Sequence, residues 1–116
     1  MSTARERHAV AVLDGKLYAC GGWNEARYPP TALTSVERYD PDTNTWETVA
    51  PMKTARSESS AAVLDGKLYV AGGQSELFDM SAIVSTVERY DPSANVWEEV
   101  PPMIKARSDF VLCSFD

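Results

Sequence analysis

Few residues in the sequence could carry out catalysis. His8 is the only histidine, so neither a Ser-His-Asp arrangement nor a histidine-rich metal site is possible. It begins a short apolar run, where a hydrogen-bonded or solvent-facing side chain is its ordinary role. Cys20 and Cys113 have no CxxC partner, which argues against structural zinc. We therefore expect a protein that is not an enzyme.

One short segment has the spacing of oxygen ligands for calcium. Asp40, Asp42 and Asn44 alternate as in the opening of a calcium-binding loop. The required glycine is absent, however, and Pro51 stands where the closing glutamate would be. These residues predict a turn without a metal. Since no Gly-rich phosphate-binding loop occurs either, we expect no cofactor.

The charge of the chain excludes two classes of partner. The formal net charge is −6, whereas nucleic acids and anionic membranes need clustered Lys and Arg. No apolar run is long enough to span a bilayer, and the N-terminus has no apolar signal core. The two cysteines lie in strand-like runs, so buried reduced thiols are favoured over a disulfide. These features predict a cytoplasmic protein that binds neither nucleic acid nor membrane.

The chain contains two copies of one sequence unit. Residues 36–52, VERYDPDTNTWETVAPM, return 51 positions later at residues 87–103 as VERYDPSANVWEEVPPM. The same offset carries LDGKLYACGG onto LDGKLYVAGG without a gap. A fixed period of this size is typical of repeat architectures, in which one unit cannot bury its hydrophobic face alone.

Each unit predicts four short antiparallel strands. Asp14-Gly15 and Asp65-Gly66 separate apolar runs and predict type I′ hairpin turns, which need positive φ at both central residues. The paired glycines that follow indicate close approach of another backbone or a large ring. The predicted strands are 9–13, 16–20, 36–39, 45–49, 61–64, 67–71, 87–90 and 96–100, with an extra strand at 110–115.

The paired glycines, followed by Tyr39 and Trp46 and in the second unit by Tyr90 and Trp97, resemble the kelch repeat. VERYDPxxNxW followed by PM and AR is similar to kelch-like proteins in particular. The resemblance implies an all-β fold of kelch β-propeller blades, commonly six in a ring, with these aromatics packed between blades. The expected division is blade 1 at residues 1–54, blade 2 at 55–105, and the first strand of a third repeat at 106–116.

Two four-stranded blades and one strand do not close a propeller, which typically needs about four to eight blades. Two blades alone would leave large apolar faces in water. Three explanations stay open: a piece of a longer propeller, a natural truncated product, or a protomer of an assembled ring. A trimer of two-blade protomers would supply six blades through heterologous contacts.

Binding is expected on the two long unrepeated loops and on the connections between blades. Aromatics and arginines of the loops are candidate anchors, although Trp23 and Phe78 could instead fill the gap between blades. In the kelch-like proteins that this chain resembles, connector arginines bind acidic peptide motifs; the alternative is that they bond carbonyls of the neighbouring blade. The candidates are Arg5, Arg7, Trp23, Arg27, Tyr28, Arg56, Glu58, Phe78, Arg107 and Asp109.

The resemblance implies a protein-interaction module of the kind that binds substrate proteins for a cullin-type ubiquitin ligase. Two alternatives stay open: a module that binds actin or the cytoskeleton, and a minimal repeat protein that assembles a propeller from several copies.

Overall fold

The computed structural model describes residues 5, 8–23, 31–75 and 83–102. Within them the chain forms two four-stranded antiparallel sheets, each with its strands in sequence order, and no helix. The all-β architecture of two blades is therefore confirmed. The predicted strand at 110–115 lies outside the described residues.

The strands are short and pair with their neighbours along the chain. In blade 1 they are β1 (Ala9–Leu13), β2 (Lys16–Cys20), β3 (Val36–Asp40) and β4 (Thr45–Val49). In blade 2 they are β5 (Ser60–Leu64), β6 (Lys67–Ala71), β7 (Val87–Asp91) and β8 (Val96–Val100). Every predicted strand within the described residues is present, to within one residue at each end.

The turns have the backbone that their residues predict. Asp14 and Gly15 have φ of 52° and 74°, and Asp65 and Gly66 have 50° and 73°, as type I′ hairpins require. In the β3–β4 turn, Asp40 Oδ1 accepts a hydrogen bond from the backbone N–H of Asp42 at 2.9 Å. The segment with calcium-like spacing is thus an Asx turn.

The blades pack face to face, with β1 against β5 and β6. Trp97 donates its indole N–H to the carbonyl of Ala50 at 2.8 Å, and Asn95 Oδ1 accepts from the Ala50 N–H at 3.0 Å. The rings of Tyr18 and Tyr90 lie 5.8 Å apart across the same contact. Tyr90 and Trp97 are therefore packing residues between blades, as predicted.

Candidate functional site

The two long loops begin and end next to each other at one end of the blades. Trp23 pairs with Ala32 across the base of the first loop, and Gln74 pairs with Ile83 across the base of the second. Ala32 also donates its N–H to the Ser75 carbonyl at 3.3 Å, which joins the two bases. The described residues that flank the two loops therefore lie at the same end of the blades.

The connection between the blades runs between these loop bases. The Arg56 N–H donates to the Leu33 carbonyl at 3.2 Å, and the Arg56 carbonyl accepts from the Gly22 N–H at 2.7 Å. Ser57 and Gln74 exchange two backbone hydrogen bonds of 2.9 and 2.8 Å. One continuous backbone network thus holds both loop bases in place.

The paired glycines allow the connection between the blades to pass close to the backbone at Gly21 and Gly73. A Cβ on Gly21 would lie 2.2 Å from the Arg56 carbonyl oxygen, and one on Gly73 would lie 2.5 Å from that of Ser57. Both glycines also have positive φ, at 65° and 95°. The close backbone approach predicted from the sequence is confirmed.

The Arg56 side chain points inward and joins blade 2. Its guanidinium pairs with Glu88 at 3.0 Å, and both side chains are fully buried. It also donates to the carbonyls of Gly72 and Thr86 at 2.9 and 2.8 Å. Burial lowers the pKa of Arg56, and the Glu88 carboxylate opposes that shift. Since its backbone bonds blade 1, Arg56 fastens the two blades together.

Arg5 repeats this arrangement one blade earlier. It pairs with Glu37 at 3.1 Å and donates to the carbonyls of Gly21 and Ser35 at 2.8 and 2.9 Å. Its side chain is fully buried. The expectation that Arg5 and Arg56 contact a partner is therefore corrected: a buried carboxylate and two carbonyls hold each guanidinium inside the protein.

The other predicted site residues divide into two groups. Trp23 is 2% exposed, so its side chain is buried rather than presented to a partner. Glu58 is half-buried in the connection, with a positive φ of 54°. The remaining candidates lie outside the described residues: Arg7, Arg27, Tyr28, Phe78, Arg107 and Asp109.

A cleft between the blades at the opposite end could not be predicted from the sequence. Its volume is about 360 Å³, and Pro92 and Ser93 of blade 2 line one side. Across it, Arg38 donates to Tyr18 Oη at 3.2 Å and pairs with Glu47. Both contacts raise the pKa of Arg38. The remaining lining residues, Asp14 and Lys16, come from the β1–β2 hairpin.

Of the residues first considered for catalysis, His8 and Cys20 lie within the scaffold, and Cys113 lies outside the described residues. Burial lowers the pKa of His8, with a smaller contribution from Arg5. Cys20 is a free buried thiol whose pKa burial raises to about 12, which disfavours the reactive thiolate. Among the described residues no group of His, Cys, Asp and Glu could hold a metal ion. The described part also contains no helix long and apolar enough to cross a membrane.

Comparison with solved structures shows the same fold in another protein. The structure of YjhT superposes with a TM-score of 0.74 at 20% sequence identity, over 86% of this chain and 39% of that one. Because both blades are included in that alignment, the packing of one blade on the next is also that of a known fold.

Several curated proteins are similar in sequence. Kelch-like protein 33 of Homo sapiens is 40% identical over 85% of this chain, and Kelch-like protein 36 of Bos taurus is 35% identical over 97%. An F-box/kelch-repeat protein of Arabidopsis thaliana is 37% identical over 82%. The chain spans about a fifth of the length of these relatives, between 18% and 19%.

The Kelch motif matches the chain twice, at residues 4–53 and 55–104. Each match contains one four-stranded sheet with its paired glycines, its Tyr and its Trp. The two matches together cover most of the sequence, so this chain belongs to the kelch-repeat family.

Proposed function

We propose that this chain is a non-catalytic protein-interaction module that binds its partner at the end where the two long loops leave the scaffold. The observation that carries the proposal is the backbone network joining both loop bases through Arg56 and Ser57. It holds the bases of two loops of unrelated sequence next to each other on a repeated framework. Variable loops on a rigid scaffold are the usual place for recognition.

We propose further that the partner is a substrate of a cullin-type ubiquitin ligase, acting in the cytoplasm. The similarity to Kelch-like and F-box/kelch-repeat proteins supports this role, although the chain spans only 18–19% of their length. An acidic motif in the partner stays a prediction. Recognition of such a motif would depend on Arg7, Arg27 and Arg107, since Arg5 and Arg56 form salt bridges with internal carboxylates.

Loop exchange tests the proposal. The full chain and two variants, with residues 24–30 or 76–82 replaced by Gly/Ser sequences of equal length, are used to capture proteins from cytosolic extract. The matched control is Asp42→Ser in the β3–β4 turn, because blade 2 carries Ser93 at the equivalent position. We expect a partner that both loop replacements weaken at least tenfold and that the control retains.

A partner bound equally by all of these variants would contradict binding at the loop end. Ubiquitylation of the captured protein by a cullin complex containing this chain would support the ligase role. Salt-sensitive cosedimentation of the purified chain with F-actin, abolished by the same loop replacements, would instead identify actin as the partner.

A further inference from the structure

The cleft between the blades brings a serine of blade 2 together with two cations of blade 1. Pro92 and Ser93 of the β7–β8 turn line one side, and Lys16 and Arg38 belong to the other. The cleft has a volume of about 360 Å³, whereas one water molecule occupies about 30 Å³ in the liquid. There is therefore room among these side chains for an additional group of several atoms.

The Ser93 hydroxyl is accessible and is not required to hold its turn. Ser93 and the following Ala94 are exposed. The Ser93 hydroxyl and N–H both donate to Asp91 Oδ1, at 2.7 and 3.0 Å. The equivalent turn of blade 1 has Asp42 at this position, and its N–H still donates to Asp40 Oδ1 at 2.9 Å without help from a hydroxyl. The turn therefore accepts a negatively charged side chain at this position.

Arg38 has a donor group that its present contacts leave unused. Its Nε pairs with Glu47, and its Nη1 donates to Tyr18 Oη at 3.2 Å. Among the hydrogen bonds of the described residues, none involves Arg38 Nη2. The guanidinium carbon lies 6.0 Å from the centroid of the Tyr18 ring, and the Arg38 side chain is 21% exposed. A guanidinium held in this way suits an anion with several acceptor oxygens.

Lys16 brings a second positive charge from the β1–β2 hairpin. Its ammonium lies 4.0 Å from Asp40 Oδ2, and both side chains are partly exposed. That separation is longer than a hydrogen bond, so the ammonium can turn toward a stronger acceptor. Blade 1 thus offers the cleft two cations from different strands.

The acidic side chains around the cleft decide which anion these cations can hold. Asp14 lines the cleft, Glu47 pairs with Arg38, and Asp91 belongs to the same turn as Ser93. A single carboxylate from solution would compete poorly with them. A phosphate monoester carries about 1.5–2 negative charges and three acceptor oxygens at pH 7. Attachment to the protein also raises its effective concentration at the cleft.

We propose that Ser93 is a phosphorylation site whose phosphoryl group is bound by Arg38 and Lys16 across the cleft. A protein kinase forms the bond between Ser93 Oγ and phosphorus as the β–γ phosphoanhydride bond of a nucleoside triphosphate breaks. The nucleoside diphosphate leaves, and the hydroxyl proton passes to the base of the kinase.

The bound phosphoryl group links blade 2 to blade 1 at the end opposite the loop bases. It replaces the hydrogen bond from the Ser93 hydroxyl to Asp91 with charge-assisted hydrogen bonds to the two cations. This inference does not depend on the proposed loop-end function, because neither the loops nor the connection between the blades takes part.

The first test is phosphorus NMR of the full chain carrying Ser93→phosphoserine, titrated with pH. The second pKa of phosphoserine is ordinarily about 6. The two cations favour the dianion, so we expect that pKa to fall by about one unit, a tenfold change in proton affinity. The charged groups around the phosphate are Asp14, Lys16 and Asp40 near the β1–β2 hairpin, Arg38 and Glu47 on β3 and β4, and Asp91 in the turn.

Arg89→Gln is the matched control for Arg38→Gln in this titration. Arg89 donates to Tyr69 Oη at 3.2 Å and pairs with Glu98, as Arg38 does with Tyr18 and Glu47, but it does not line the cleft. We expect Arg38→Gln to return the phosphate pKa most of the way to its ordinary value. Arg89→Gln should leave that pKa lowered.

Phosphorylation should also stabilise the fold in a pH-dependent way. A pKa lowered in the folded state contributes stability above the unfolded value, and this contribution is lost as the pH falls through the folded value. The gain in the folding equilibrium constant on phosphorylation should therefore be about tenfold larger at about pH 7.5 than at about pH 4.5. Urea denaturation of the phosphorylated and unmodified chains at both pH values measures it.

Mass spectrometry of the full chain after incubation with cytosolic extract and ATP tests the modification itself. We expect a phosphorylated peptide that contains Ser93, and none at this position in Ser93→Ala. Absence of phosphate at Ser93 would overturn the assignment of the modification. So would tight binding of inorganic phosphate to a chain that stays unmodified, because the cleft would then be a site for a free anion. A phosphate pKa that is not lowered, or one that Arg38→Gln leaves lowered, would overturn binding across the cleft.

Discussion

Replacing Glu88 with alanine is expected to lower the free energy of unfolding by about 3–5 kcal/mol. The Glu88 carboxylate accepts hydrogen bonds from the Lys53 and Thr54 N–H groups at 2.7 and 3.1 Å, and it pairs with the Arg56 guanidinium. Its removal leaves the fully buried Arg56 charge without a counterion. It also leaves the N–H groups of Lys53 and Thr54 without their acceptor. Urea denaturation of purified variants measures the loss.

The matched control for this prediction is Glu98→Ala. Glu98 also pairs with an arginine, Arg89, but its side chain is 54% exposed. Solvent-exposed pairs contribute about 0–1 kcal/mol, so the control should be nearly neutral. Similar losses for the two variants would show that the Arg56–Glu88 pair does not fasten the blades as described.

Replacing Gly21 with alanine is expected to cost about 4 kcal/mol or more. The residue has a φ of 65°, and the new Cβ would lie 2.2 Å from the Arg56 carbonyl oxygen. The connection would have to move, which breaks the hydrogen bond from the Gly22 N–H to that carbonyl. The free energy of unfolding from urea titration gives the cost.

Gly15→Ala separates the cost of the positive φ from the cost of the backbone clash. Gly15 has a similar φ of 74°, but nothing lies within 4 Å of its Cβ position. Only the left-handed backbone conformation is then penalised, at about 1–2 kcal/mol. If Gly21→Ala costs no more than Gly15→Ala, the close passage of the connection across blade 1 is contradicted.

The fold could be predicted from the sequence because its signals are local and occur twice. The Asp-Gly pairs predicted the hairpins at Asp14-Gly15 and Asp65-Gly66, and the φ values in the structure agree. The paired glycines predicted close backbone approach, which Gly21 and Gly73 show. Repetition at a constant offset strengthened each of these weak signals and identified the blade as the unit.

The direction of the connector arginines could not be predicted in the same way. A repeated arginine fits both a partner-facing and an internal role, and the carboxylate that decides between them lies 32 residues further along the chain. The useful signal was that Glu37 and Glu88 repeat together with Arg5 and Arg56. Only the fold brings each pair to within about 3 Å.

The difference in exposure between equivalent residues of the two blades could not be predicted from the repeat either. Tyr39 and Tyr90 have nearly the same sequence around them, yet one is half-buried and the other is 0% exposed. Exposure depends on what lies across the sheet rather than on local sequence. The cleft lined by Arg38 and Ser93 escaped prediction for the same reason, since its walls come from both blades.

Blade 2 packs on blade 1 through Tyr90, Asn95 and Trp97. The most direct measurement is hydrogen exchange of the tryptophan indole N–H groups by NMR, assigned with Trp46→Phe and Trp97→Phe. We expect slow exchange at Trp97, whose indole N–H donates to the Ala50 carbonyl. We expect fast exchange at Trp46, which is more exposed than Trp97. Equally fast exchange at both positions would show that the blades do not pack in this way.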